Sequence, residues 1–216
     1  MDALANTADL LVQAGEVGAA YAVVGWRPRA YIRPGGAVLA VFHDQRTRRV
    51  GCARWGWDGT GPGPRTGPLL AHGPCEALAR PPLSAGFPRR RCLVLATAWM
   101  QGRAPVLPTI VQPLGAGVPF AVAALWSPIA IDGRATAAVV LLTVPACSEL
   151  RAVAQRQLAV VPREHLDQWL DGCTPQPALR RLLVSHQFYE AYHHQPDPGA
   201  WRRLTQAADD GPDLFT

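Results

Sequence analysis

The stretch from Arg89 to Gln101, Arg-Arg-Arg-Cys-Leu-Val-Leu-Ala-Thr-Ala-Trp-Met-Gln, constrains the fold more than any other. Three guanidinium groups pass directly into an apolar, β-prone segment. A strand over Arg91–Thr97 is therefore expected to leave a basic surface, cross the core and deliver Gln101 at its far end, where a site belongs. The surroundings of such a strand follow from composition. A chain of 216 residues suits one domain with a sizeable core, or one domain plus a helical tail. Apolar residues make up 49% of it, and 20 Gly with 21 Pro favour a loop-rich, sheet-centred globule over a helical bundle.

All 21 basic residues are Arg, and the net charge of +5 is compatible with a polyanionic partner without demanding one. Cys52, Cys75, Cys92, Cys147 and Cys173 are odd in number and widely spaced, with no C-x-x-C pair to suggest zinc or a redox couple. Free thiols in a reducing cytoplasm are the expected state. No basic segment precedes the first apolar run, and no apolar stretch approaches the roughly 20 residues that span a bilayer. A cytoplasmic protein with no membrane contact and no cofactor is expected.

Along the chain, Thr7–Gln13 reads as a short helix, with Thr7 as N-cap and Gly15 as its stop. Ala19–Trp26 and Ala37–Phe42 are apolar runs of strand length. His43–Arg49 reads as a charged turn, and Val50–Trp57 as the return strand of a hairpin. Strand alternation places Trp55 and Trp57 on one face, either as core packing or as a stacking platform for a base. Gly59–Gly67, with four Gly and two Pro, forms a surface loop. Strands are expected at Val106–Gln112, Pro119–Leu125 and Thr136–Val144, then a helix at Ser148–Gln157, a brief strand at Leu158–Val161 and a short helix at Arg163–Leu170. The fold class is α+β: one β-rich domain with a mixed, mostly antiparallel sheet and peripheral helices.

The tail from residue 173 to 216 differs in kind. Pro175–His194 reads as a helix, with Ala178, Leu179, Leu182 and Leu183 on one apolar face and Pro196 and Pro198 beyond its end. His186, Glu190, His193 and His194 have roughly helical spacing. A solvated face accounts for them as well as metal ligation does, and no metal is expected. Arg180-Arg181 and Arg202-Arg203 read as surface charge.

Several segments in order resemble the SOS response-associated peptidase (SRAP) family, whose members recognise abasic sites in single-stranded DNA. Ala53-Arg54-Trp55-Gly56-Trp57 is similar to the family's R-W-G-L segment, Arg89–Ala96 to R-R-R-C-L-V-P-A, and Phe120–Trp126 to F-A-F-A-G-L-W. Leu141–Ala146 is similar to I-I-T-T-x-A and keeps Thr143; Asp167-Gln168-Trp169-Leu170 is similar to W-D-x-W-L. The resemblance covers roughly residues 1 to 172, with no counterpart for the tail.

The resemblance implies a particular chemistry. A Cys at position 2 offers an α-amine and a thiol to a ring-opened sugar aldehyde, and a Schiff base closes to a thiazolidine. An Asn, a Glu and a His position the adduct and move its protons, while an Arg and an aromatic hold phosphate and base. Here position 2 is Asp2. N-A-R-A-E-T becomes His72-Gly73-Pro74-Cys75-Glu76-Ala77, keeping Glu76 alone. Gln101 stands for the Glu of G-F-Y-E-W, and an amide cannot titrate. Ala154 stands for the His of I-H-D-R-M-P, of which Arg156 survives. Pro34 alone is kept from Y-N-V-A-P-T.

Two readings stand. In one, the fold persists as a non-catalytic module for single-stranded or abasic-site DNA, or for a partner, with Pro34, Arg54, Trp55, Trp57, Thr143 and Arg156 as binding residues. In the other, Cys75 with His72 and Glu76 forms a new nucleophile and base. The first is the better supported, because every position expected to do covalent or acid–base work is substituted.

Overall fold

The computed structural model describes residues 3–6, 19–20, 29–44, 47–57, 68–101, 108–113, 119–131, 134–148, 150–183, 192–197 and 199. Asp2, the helix expected at Thr7–Gln13, most of Ala19–Trp26, the loop Gly59–Gly67, His186, Glu190, Arg202 and Arg203 lie outside these residues.

Two sheets carry the domain. The smaller contains β1 (Ala3–Asn6), β3 (Arg29–Ile32), β8 (Ala98–Gln101), β9 (Thr109–Pro113) and β14 (Tyr192–Pro196), in the order β14-β9-β8-β1-β3. The larger contains β2 (Ala19–Ala20), β4 (Ala37–Asp44), β5 (Thr47–Trp55), β7 (Arg91–Ala96), β10 (Phe120–Ile131), β11 (Arg134–Pro145) and β12 (Arg156–Leu158), in the order β12-β11-β10-β7-β4-β5-β2. To it are added β6 (His72–Pro74), parallel to β11, and β13 (Val160–Val161), antiparallel to β10. A parallel pairing of β11 with β5 closes a ring through β10, β7 and β4. The remaining pairings are antiparallel apart from that of β2 with β5, so the sheet is mixed and mostly antiparallel, as the sequence implies.

β7 holds the centre because it is buried on both faces. Leu93 and Leu95 point to one side, with Leu39, Val41, Ala123 and Val140 of neighbouring strands. Cys92, Val94 and Ala96 point to the other, with Val38, Ala40, Val122 and Leu141. The first side is covered by α1 (Leu166–Leu170), α2 (Gln176–Leu182) and the loop bearing Leu78, Leu83 and Phe87. The second meets Leu4, Ile32, Trp99 and Val111 of the smaller sheet. The layers are helix and loop, large sheet, small sheet, and each fully buried Leu or Val contributes about 1.5–3 kcal/mol.

The expected crossing strand is two strands. At Thr97 the chain leaves the large sheet for the small one: the Thr97 N–H and hydroxyl donate to Ala5 O at 2.8 and 3.0 Å. Gln101 therefore ends β8, beside β1.

Three other expectations are corrected. His43–Arg49 is not a turn: Asp44 pairs with Thr47, so β4 and β5 run on and only residues 45–46 connect them. Ser148–Gln157 is not a helix. Single turns close from Arg151 N–H to Cys147 O (3.1 Å) and from Ala154 N–H to Leu150 O (2.8 Å), and Arg156–Leu158 then pairs with β11. Ladder bonds and the Gln157 side chain, which accepts the Cys147 N–H at 2.9 Å, outweigh the local helix preference. In the tail, a helix spans Gln176–Leu182 and residues 192–196 form a strand, so the expected helix does not run through to His194. His193 and His194 stand opposite Gln112 and Val111 of β9, so they do not share a helix face with anything. Among the described residues no group of three His, Cys, Asp or Glu could hold a metal, and no helix is long and apolar enough to cross a membrane.

Candidate functional site

The two tryptophans do not share a face. β5 ends at Trp55, and Gly56 follows with φ of +114°, a backbone conformation costly for any residue with a Cβ. That residue breaks the strand alternation. Trp55 turns into the core between the sheets and Trp57 into the core beneath the helices. Trp55 is 1% exposed, with its indole N–H on Ala71 O at 3.0 Å, and Trp57 is 8% exposed. Neither is an open platform, which corrects the stacking reading. Arg54 is buried too, and strand alternation puts it on the sheet face opposite Trp55. The expected open face of Arg54, Trp55, Trp57 and Arg156 is thus not one surface. Pro34 is exposed in a turn laid against the end of β5, where the Gly35 N–H donates to Trp55 O at 2.5 Å.

A different set does converge. β1 delivers Ala3, β8 delivers Gln101, β6 delivers His72 and β12 delivers Leu158 to the walls of a cavity of about 10 Å³, with Trp55 and Trp99 behind them. Asp2 adjoins Ala3 in sequence. The Gln101 amide donates from Nε2 to Arg156 O at 2.7 Å, which fixes its orientation, because a carbonyl oxygen accepts only from the NH₂ end. Its Oε1 is buried without a hydrogen-bond partner. Ala154 is half-buried in the turn ahead of β12 and does not line the cavity.

Arg156 ties the site to β11 and to the short 3-10 turn Cys75–Ala77. Its Nε donates to Thr143 Oγ1 at 2.9 Å, and Nη2 donates to Thr143 O at 2.7 Å and to Glu76 Oε2 at 2.8 Å. Thr143 is buried, while about a third of the Arg156 side chain and over half of the Glu76 side chain remain exposed. Partial burial alone would raise the Glu76 carboxyl. Its own backbone N–H and the Arg156 guanidinium outweigh that and hold it below the usual carboxylate range.

Cys75 lies beside this pair but is not activated by it. Burial first, and then the neighbouring Glu76 charge, push the thiol up to about 12 against the pull of Arg156 and Arg180. A thiol so placed is protonated at neutral pH and is a poor nucleophile. His72 meets Trp55 edge-to-face, ring centroids 5.4 Å apart. Nothing in the sequence pattern indicated that Leu158 would wall the site, or that the Arg180 charge would act on Cys75. Trp99 alone lies in a segment, the G-F-Y-E-W-like one, that the resemblance marks.

A mixed two-sheet domain with a polar site where its first strand meets the end of β8 is the class that this fold and site define. The chain belongs to the SOS response associated peptidase (SRAP) family, whose profile matches residues 3–196. The match runs past residue 172 and takes in β14. Among solved structures, a protein from Bacteroides thetaiotaomicron superposes with a TM-score of 0.77 at 13% identity, covering 93% of this chain and 94% of that one. A protein from Bordetella bronchiseptica gives 0.74 at 16% identity (91% and 99% covered). A phage-related protein from the same organism gives 0.71 at 20% identity (92% and 94% covered). At these identities the likeness is one of fold. No curated protein matches the chain by sequence.

Proposed function

We propose that this chain is a non-catalytic SRAP domain that binds single-stranded DNA, abasic sites included, in the cytoplasm as part of a DNA-damage response. The observation that carries the reading is the closed polar network: Arg156 is committed to Glu76 and Thr143, and the Gln101 amide to Arg156 O. Proton transfer to and from a sugar aldehyde needs a group that titrates near neutral pH and faces the reacting atoms. Gln101 cannot titrate, Ala154 carries no ring, and the Glu76 carboxylate is held ionised. The protonated Cys75 thiol speaks against the alternative, a hydrolase built on Cys75, His72 and Glu76. Five free cysteines fit a reducing compartment. Binding is left to the exposed part of Arg156, whose Nη1 takes no part in those bonds and can meet a phosphate, and to the exposed Pro34 turn.

Incubation with an abasic oligonucleotide followed by a denaturing gel tests the non-catalytic part; a heat-stable shifted band overturns it. Fluorescence anisotropy with an intact single strand tests binding, and salt-independent or absent affinity removes the DNA assignment.

A further inference from the structure

The basic run Arg89-Arg90-Arg91 divides. Arg91 turns into the core, 4% exposed, while Arg89 is exposed and Arg90 half-buried. They close a compact loop: the Arg80 N–H donates to Ala77 O at 2.8 Å, the Ser84 N–H to Arg80 O at 3.0 Å and the Arg90 N–H to Gly86 O at 2.7 Å. Leu78, Leu83 and Phe87 anchor the loop in the core, so Arg80 and Arg89 project from a fixed base. α2 packs against the same loop. The Arg180 guanidinium stands 5.1 Å from the Phe87 ring centroid, and Arg181 beside it is exposed. Five guanidinium groups therefore sit on two adjoining elements. The ion pairs given by the described residues lie elsewhere, at Arg48–Asp167 and Arg156–Glu76.

Position at the C-terminal end of α2 gives Arg180 and Arg181 a local reason to be basic, since cations are favoured there. It gives none for Arg80 and Arg89, which belong to the loop; the Arg90 Nη2 donates to Ala85 O at 3.2 Å and so also helps to close that loop. The Glu76 carboxylate of the preceding turn is taken by Arg156, and the like charges gathered beyond it repel; a chain of phosphates relieves that repulsion. Contact with the Phe87 ring holds the Arg180 guanidinium by its face, and no hydrogen bond among the described residues engages its donors, which can turn to a phosphate oxygen. Arg180 also links this surface to the site, because its field and that of Arg156 both reach Cys75.

We propose that Arg80, Arg89, Arg90, Arg180 and Arg181 form a second phosphate-binding surface, which carries the backbone of a single DNA strand onward from the site edge at Arg156. The proposal rests on the DNA-binding reading above and extends its footprint over the loop and α2.

The test compares labelled oligothymidylates of about 5 and about 15 nucleotides, one spanning the Arg156 edge and the other both surfaces. The full-length protein and the triple variant Arg80→Gln, Arg89→Gln, Arg181→Gln are titrated by anisotropy at several salt concentrations. These three side chains are exposed, and an unchanged Tm shows that the variant is folded. For the longer strand the variant is expected to bind at least about tenfold more weakly, with a log–log salt slope shallower by about 2, while the shorter strand is unaffected. Equal affinity and slope for the longer strand in both proteins overturns the second surface. If wild-type protein holds the short strand and gains nothing from the long one, this inference alone falls. If it binds neither, the DNA-binding reading falls with it.

Discussion

Arg91 holds Trp169 by its backbone, the Arg91 Nε–H donating to Trp169 O at 2.8 Å, while the Trp169 indole N–H donates in turn to the O of Cys92, the next residue of β7, at 2.9 Å. The remaining donors of the same guanidinium reach Phe87 O (2.8 Å), Pro88 O (2.7 Å) and Asp171 O (2.6 Å). A buried cation satisfied by four carbonyls thus fastens α1 and the loop before β7 to the central strand. Burial shifts its pKa downwards, against the pull of Asp171.

Arg91→Ala leaves four carbonyl oxygens short of a donor, and its unfolding free energy in urea is expected to fall by about 3–5 kcal/mol. Arg91→Lys recovers little of this, because an ammonium cannot reproduce the planar fork. Trp169→Phe, which removes one bond and keeps much of the ring, costs about 1–2 kcal/mol. A loss under about 1 kcal/mol for Arg91→Ala contradicts the latch.

Cys75 should resist alkylation. A rise from 9.0 to about 12 leaves about a thousandfold less thiolate than an ordinary thiol carries at the same pH. Brief iodoacetamide treatment of the folded protein near pH 7.5, followed by peptide mass spectrometry, is expected to label exposed Cys173 and to spare Cys75 and fully buried Cys92. Preferential labelling of Cys75 would restore it as a candidate nucleophile.

The Glu76–Arg156 pair should respond to acid. A carboxyl whose folded pKa lies below its unfolded one contributes stability above the ordinary carboxylate range and loses it as pH falls through the lowered value. Glu76→Gln is therefore expected to lower the urea midpoint slightly at pH 7, where the ionised pair contributes in full but is solvent-screened, and to lose that difference in acid, which flattens the acid limb. An unchanged acid limb in the variant rules out the coupling.

Restoring the family's carboxylate at position 101 should be costly. Ionised, it would face Arg156 O, an acceptor, where Gln101 now presents a donor. Gln101→Glu is expected to be close to wild type in stability below about pH 4 and to lose about 1–3 kcal/mol by pH 8, as the buried carboxyl is forced to ionise or to remain protonated at a cost. Equal stability at pH 8 would mean that the site accepts an acid, and that the chemistry was lost elsewhere.

Much of this fold was legible because periodicity and pairing agree. The runs at Ala37–Phe42, Arg91–Thr97, Pro119–Leu125 and Thr136–Val144 all became strands, and β10 and β11 extend beyond them to Ile131 and Arg134 because a hairpin lets polar residues continue a ladder. The misreadings fall where one residue or one distant pairing decides. Gly56 at positive φ reversed the faces of Trp55 and Trp57, and alternation cannot register such a reversal. His193 and His194 continue a helical spacing from His186 and Glu190 in the sequence, yet residues 192–196 join a strand roughly 80 positions away. Of the residues that resemblance marked, His72, Trp55 and Gln101 line one cavity, with Ala3, the neighbour of Asp2, beside them, and Glu76, Thr143 and Arg156 share one network, while Pro34, Arg54, Trp57 and Ala154 belong to neither. Which of them face solvent was not legible, since exposure depends on packing against partners that are remote in sequence.

The smaller sheet joins β1, from residues 3–6, through β8 and β9 to β14, from residues 192–196. A ribosome making this chain has released β9 long before it reaches the strand that pairs with it. Over the stretch of translation between them the nascent polypeptide carries an open backbone edge, a template for pairing with other chains. A premature stop codon between residues 183 and 192 would spare both major apolar cores and leave that edge open permanently. Its foreseeable harm is aggregation rather than failure to fold.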